Sequence, residues 1–248
     1  TTGSHNTAVG VGSVASNTTG NYNTGLGRDA LGSNTTASNN TAVGYQAGYS
    51  NTTGTQNVFM GRLAGYGSTG DANIAIGSYA LYSNTGSNNT AVGVGYGALN
   101  GALQSNTSGN YNTAFGGGAL GNNTTADNNT AVGYQAAYAN TTGYSNTALG
   151  HSAFKSNTTG ARNVSIGVGS LSTNTNTGNY HTAIGFESLR ANTSGQENTA
   201  IGAQVLIVNT TGSYNSGLGV NALLSNTTGS YNSAFGESAL QNNTTASY

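Results

Sequence analysis

The chain has 248 residues and a formal net charge of −1, yet only 4% of its residues are charged, against about 25% in an ordinary soluble domain. It contains 40 Gly and 15 Tyr but no Pro, Cys or Trp. These figures exclude a disulfide framework or Cys-ligated zinc site, a collagen helix, a basic nucleic-acid footprint and, with no apolar run near ~18 residues, a membrane-spanning helix.

A pentad, Asn-Thr-Ala-Φ-Gly with Φ a larger apolar residue, starts at Asn6 and returns at Asn23, Asn40, Asn57, Asn73, Asn89, Asn112, Asn129, Asn146, Asn163, His181, Asn198, Asn215 and Asn232. Nine of the thirteen steps are 17 residues, which marks a structural repeat rather than a compositional bias. Counted from the pentad, the unit reads N-T-A-Φ-G-x-x-A-Φ-x-S-N-T-T-G-x-x. Position 5 is Gly in all fourteen copies, and position 12 is Asn in all but one, where Ser68 stands. The β-branched pentad predicts a short strand. A second apolar pair, such as Ala30-Leu31 or Ala239-Leu240, predicts another. Asn-Thr-Thr-Gly is turn chemistry, and helix is disfavoured throughout.

Strands this short bury no core alone, but stacked copies do. The expected fold is therefore all-β: a parallel β-solenoid (β-roll) of about fourteen coils, with residues 1–248 as one repetitive domain and no capping coil at either end. The longest step, between Asn89 and Asn112, predicts an outward loop near residues 94–103. Positions 3 and 4 are neighbours on a strand and point to opposite faces. Small Ala at position 3 suits a narrow interior. The larger residue at position 4 then faces outward, and the second apolar pair repeats the problem. A strand apolar on both faces is buried on both, so the outer row is expected to meet another copy of the chain, as an oligomer or a head-to-tail filament.

The pentads Asn40-Thr41-Ala42-Val43-Gly44 and Asn198-Thr199-Ala200-Ile201-Gly202, with downstream small-apolar steps such as Gln46-Ala47, resemble the head repeats of trimeric autotransporter adhesins. The N-T-A-V-G-Y-Q-A…S-N-T-T-G style is also similar to repeats of bacteriophage tail fibres. The resemblance covers essentially the whole chain. It implies a parallel β-roll assembled as a trimer on a bacterial surface or virion, acting in attachment.

Catalytic chemistry finds no constellation. His5, His151 and His181 are far apart and are read as outward residues, and the six carboxylates are scattered over five coils with no close pair in sequence. Gly116-Gly117-Gly118 is followed by no Lys, unlike a phosphate-binding loop. No catalytic residue, cofactor or metal is expected, nor any enzyme activity.

Position 12 opens an N-x-S/T sequon in eleven coils: Asn17, Asn34, Asn51, Asn106, Asn123, Asn140, Asn157, Asn192, Asn209, Asn226 and Asn243. One reading is a column of N-glycans, or O-glycans on the adjoining Thr. The other is a stacked Asn–Thr turn laddering from coil to coil. Coils ~4.8 Å apart would crowd neighbouring glycans. Tyr recurs at position 17 (Tyr22, Tyr111, Tyr180, Tyr214, Tyr231, Tyr248) and position 10 (Tyr49, Tyr66, Tyr82, Tyr138), which suits sugar stacking or lateral contacts. The expected function is a non-enzymatic extracellular fibre or surface adhesion rod that self-associates and binds surface glycans or receptors. The alternative is an ice- or surface-binding solenoid acting through the Thr column at position 2, which Val58, Ile74 and Val164 interrupt.

Overall fold

The structure, a computed structural model, describes residues 2–95, 100–173 and 177–247. Tyr248 of the position-17 column and residues 96–99 of the expected loop lie outside the described residues. The chain divides into two compact units, Thr1–Asp127 and Asn128–Tyr248. Each is a parallel β-solenoid with one short strand per coil. The first unit holds β1 (Thr7–Val9), β2 (Thr24–Leu26), β3 (Thr41–Val43), β4 (Val58–Met60), β5 (Ile74–Ile76), β6 (Thr90–Val92) and β7 (Thr113–Phe115). The second holds β8 (Thr130–Val132), β9 (Thr147–Leu149), β10 (Val164–Ile166), β11 (Thr182–Ile184), β12 (Thr199–Ile201), β13 (Ser216–Leu218) and β14 (Ser233–Phe235).

Within each unit every strand pairs in parallel with its sequence neighbours, one repeat apart, so Thr24 faces Thr41 and Gly25 faces Ala42. Repetition is what permits this: the same residue types recur at the same place, so no register slip offers a better match. The middle residue of every strand but β1 is buried, and its two neighbours look outward.

The second apolar pair forms no strand, which corrects the sequence reading. It lies in a run of overlapping turns instead. Ala30 N–H donates to Gly27 O (3.3 Å), Gly32 N–H to Asp29 O (3.1 Å) and Asn34 N–H to Leu31 O (3.0 Å). Asp29 and Leu31, at φ 57° and 51°, are the third residues of the first two turns, where a type II turn requires positive φ. Left-handed backbone at Leu costs about 1–2 kcal/mol. Full burial of the side chain offsets it by about 1.5–3 kcal/mol, and Leu31 N–H gains a bond to Ala47 O of the next coil (3.0 Å). Ala30 and Leu31 are both fully buried, so the pair fills the interior and adds nothing to the outer face.

Position 5 can only be Gly. Gly27 sits at φ +131°, and a Cβ there would lie 2.6 Å from the Gly44 carbonyl oxygen.

Interior volumes compensate across coils. Phe59 replaces the usual Ala at position 3 of β4 and is fully buried. Its ring occupies the space left by Gly48 and Gly65, which stand where other coils carry Leu31 or Leu81, and a Cβ on either Gly would run into that ring. Gly217 likewise makes room for Val205, and the buried Ser165 meets the buried Ser170 at 2.6 Å. Phe59→Ala is expected to cost about 3–5 kcal/mol in thermal or denaturant unfolding. Adding Gly65→Leu should recover part of that loss, whereas Gly65→Leu alone should destabilise by overpacking.

Candidate functional site

Three columns of polar side chains tie neighbouring coils together, and two of them are buried. At position 1 each Asn Oδ1 accepts the backbone N–H of the Asn one coil on. Asn40 N–H donates to Asn23 Oδ1 (3.0 Å) and Asn57 N–H to Asn40 Oδ1 (2.9 Å); in the second unit Asn215 N–H donates to Asn198 Oδ1 (2.9 Å). The amide nitrogen of the same Asn donates to a carbonyl of the next N-T-T-G corner, as from Asn40 to Gly54 O (2.8 Å).

The second column is position 12, the first residue of the sequons. Asn34, Asn51, Asn106, Asn123, Asn140, Asn157, Asn192, Asn209 and Asn226 are buried, and Asn17 and Asn243 are half-buried. Asn34 Nδ2 donates both to Asn17 Oδ1 (2.8 Å) and to Ala37 O (3.2 Å). Asn226 Nδ2 does the same with Asn209 Oδ1 (3.0 Å) and Gly229 O (3.0 Å). Both amide hydrogens of Asn34 and Asn226 are used inside the coil stack, so an N-linked glycan there would have to break one of these bonds. The geometry favours the stacked turn over the glycan column. Thr at position 13 joins it: Thr141 Oγ1 donates to Thr158 O (2.9 Å) and Thr210 Oγ1 to Thr227 O (3.1 Å).

The third column, at position 16, was not singled out in the sequence. There a backbone N–H donates to the side-chain oxygen of the next coil: Asn21 to Ser38 (2.9 Å), Thr55 to Asp71 (2.7 Å), Ser213 to Ser230 (3.0 Å). The signal was present, since Ser, Asn, Asp or Thr fills this position in most coils.

Two coils depart from the Asn pattern, and each has a readable consequence. Ser68 is too short to continue the position-12 column, and the buried Oδ1 atoms of Asn34 and Asn51 in the two coils before it have no partner. Asn84 occupies the same shortened corner one coil on and donates to Gly86 O, so the corner accepts Asn. Ser68→Asn is expected to raise stability by about 1 kcal/mol, read as an upward shift in the melting temperature.

His181 takes the place of Asn at position 1. It is 1% exposed, which corrects its reading as an outward residue. Its Nδ1 accepts the Asn198 N–H (3.2 Å), as an Asn Oδ1 does, and its Nε2 lies 3.1 Å from Asn192 Nδ2. With Nδ1 accepting, the neutral ring holds its proton on Nε2 and donates it to the Gly195 carbonyl, as the amides of this column do in other coils, so the Asn192 Nδ2 contact is a close approach rather than a hydrogen bond. Burial lowers the His181 pKa to about 4, against the backbone hydrogen bond to Gly195, which raises it. The unfolded chain therefore binds a proton between pH 6.5 and about 4 that the folded chain refuses. Stability from this residue is full above about pH 6.5 and falls as pH drops through that window, by up to about 3 kcal/mol. His181→Asn should flatten the pH dependence of unfolding over this range.

The other two His residues are on the surface, against Tyr rings. His5 stacks on Tyr22 and His151 on Tyr134, with centroids 4.9 and 5.4 Å apart. Tyr49, Tyr66 and Tyr82 stack in turn at 5.5 and 5.2 Å, and Tyr214 on Tyr231 at 4.9 Å. These rings spend their faces on one another, which leaves edges and hydroxyls for solvent rather than flat platforms for a sugar. Arg162 lies over the rings of both Tyr144 and Tyr180 (5.0 and 5.4 Å). Among the described residues no group of three or more His, Asp or Glu side chains is placed to hold a metal ion.

The outer strand face is the remaining surface. Position 2 (Thr, Ser or β-branched) and the apolar position 4 point outward, and position 6, just past the Gly corner, adds Val168, Phe186 and Val220 in the second unit. Of the expected loop, Val94 is exposed, while Ala102 and Leu103 are buried in the interior. Comparison of the chain with family models, with curated proteins and with solved structures gives no match.

Proposed function

We propose that this chain is a non-enzymatic structural segment of an extracellular fibre that associates with copies of itself through its outer strand face and serves in surface attachment. The observation that carries this is the uncovered apolar face of a parallel ladder. Parallel sheets are ordinarily covered on both sides, and the interior already satisfies one side. Between β10 and β13 the outward positions 2, 4 and 6 carry no charge. Phe186, Leu218 and Val220 there are 51%, 46% and 46% exposed, the kind of contiguous apolar surface that marks an interaction site. The trimer implied by the resemblance to adhesin heads is one closed arrangement that covers such a face. Glycan or receptor binding ranks second, since most Tyr rings of the two columns lie against neighbouring rings and Tyr111, 62% exposed, stands clear of them. Among the described residues no helix is long and apolar enough to cross a membrane.

A second reading has one specific support. Thr at position 2 and the apolar residue at position 4 share the outer face, so hydroxyl and apolar columns run side by side, as surface or ice binding through Thr ladders needs.

Sedimentation velocity separates the two. The self-association reading expects a concentration-dependent complex. Phe186→Glu with Val220→Glu, set two coils apart so that the new charges do not stack, should reduce it to monomer with an unchanged circular dichroism spectrum. A wild-type chain that stays monomeric at every concentration yet gives thermal hysteresis sinks this proposal in favour of the second.

A further inference from the structure

The N-T-T-G corner places two hydroxyl residues in a row and gives them different surroundings. Position 13 is tied down: the hydroxyls of Thr18, Thr107 and Thr141 each donate to a carbonyl of the next coil at 2.9 Å. Among the described residues position 14 is exposed in every four-residue corner, from Thr19 and Thr53 to Thr159 and Thr228. Thr36 Oγ1 makes a marginal contact with Thr52 O at 3.5 Å. Elsewhere the position-14 hydroxyls of the described residues have no partner in the chain.

A position free of structural duty would be expected to vary. Position 17 does: equally outward, it carries His5, Tyr22, Asn39, Gln56, Arg162 and Glu197 in different coils. Position 14 does not. It is Thr, or Ser at Ser108 and Ser194, in every four-residue corner, and only the longer corner Asn174-Thr175-Asn176-Thr177-Gly178 carries Asn there. The fold accounts for Asn at position 12 through its ladder, for Thr at position 13 through its carbonyl bond and for a small residue at position 15, Gly or Ala, through the close approach of the next coil. It does not account for a hydroxyl at position 14. The requirement lies outside the fold.

The geometry points to the position-14 hydroxyls as acceptors for O-linked sugar. The co-reactant is a nucleotide-activated monosaccharide, acted on by a glycosyltransferase. The Thr Oγ attacks the anomeric carbon, and the bond from that carbon to the nucleotide phosphate breaks. The hydroxyl proton passes to a base on the transferase, and the nucleoside diphosphate leaves. The product suits the chain, since a surface with 4% charged residues lacks the usual source of solubility, and sugar supplies it without charges that repel between stacked coils. The inference is independent of the fibre reading, because the corner lies away from the outer strand face.

The test has two arms. Intact-mass measurement of the full chain from its natural source is expected to exceed the sequence mass by whole monosaccharide residues. Fragmentation should place them on position 14 and not on Asn at position 12 or Thr at position 13. A native mass equal to the sequence mass, or sugars confined to other positions, overturns the proposal. In unmodified recombinant protein, Thr142→Ala with Thr159→Ala should leave the melting temperature unchanged, whereas Thr141→Ala should lower it. An equal loss at position 14 would mean the fold itself needs the hydroxyl, and overturns the argument from the other side.

Discussion

The hydrogen bond between identical buried Asn side chains on neighbouring coils is the interaction on which the rest depends. A coil of about 17 residues encloses too little volume for an ordinary core, so it must also bury polar corners, and buried polar groups cost about 1–3 kcal/mol each when unpaired. Asn solves this because its amide is donor and acceptor at once. Stacked on itself, it pairs donor with acceptor from coil to coil, as from Asn34 to Asn17 and from Asn226 to Asn209, and its spare hydrogen closes its own turn. The column opens around Ser68, where the Oδ1 atoms of Asn34 and Asn51 are left without a partner.

The same constraint explains the missing charge. A fixed charged position would set like charges about 4.8 Å apart up the stack. The charged residues that occur stand alone among neutral neighbours or pair locally. Asp71 serves the position-16 column between Thr55 and Ser87. Arg62 and Arg162 reach Tyr hydroxyls at 2.7 Å, and Arg190 bonds Glu187 within its own coil (3.0 Å). His181 obeys the rule by staying neutral: an imidazole with one accepting and one protonated nitrogen imitates an amide, and an imidazolium would not.

What was legible in the sequence follows from this logic, and so does what was not. The period, the parallel strands and the inward Ala at position 3 could be read, because repetition and side-chain alternation report directly on stacking. The turn arm could not. Leu31, Leu81 and Leu223 adopt left-handed backbone, where a sequence reader expects Gly or Asn, and only inter-coil packing makes that conformation pay. The sequons were ambiguous for a related reason. Asn-Thr-Thr carries the same letters as a glycan acceptor or as a buried ladder, and burial alone decides. His181 looked like a surface residue because the identity of its column, rather than the chemistry of its ring, determines where it goes.

Length, by contrast, is loosely held, and the places where it varies are the corners. The coils starting at Asn57 and Asn73 each lack one residue at the N-T-T-G corner. Asn84 Nδ2 there reaches Gly86 two residues on, rather than a residue three on as at Asn51 and Gly54. The strands β4, β5 and β6 on either side keep full register. The six-residue surplus enters between Gly95, whose N–H bonds Ser78 O (2.9 Å), and Ala102, whose carbonyl accepts Leu81 N–H (3.1 Å). It falls between the strand arm and the turn arm, after which Leu103 and Asn106 resume their columns. A solenoid of this kind conserves the chemistry of its columns and lets the corners absorb insertion and deletion. Corners are therefore where additional functions can be acquired without disturbing the stack, and the exposed hydroxyl at position 14 sits on one.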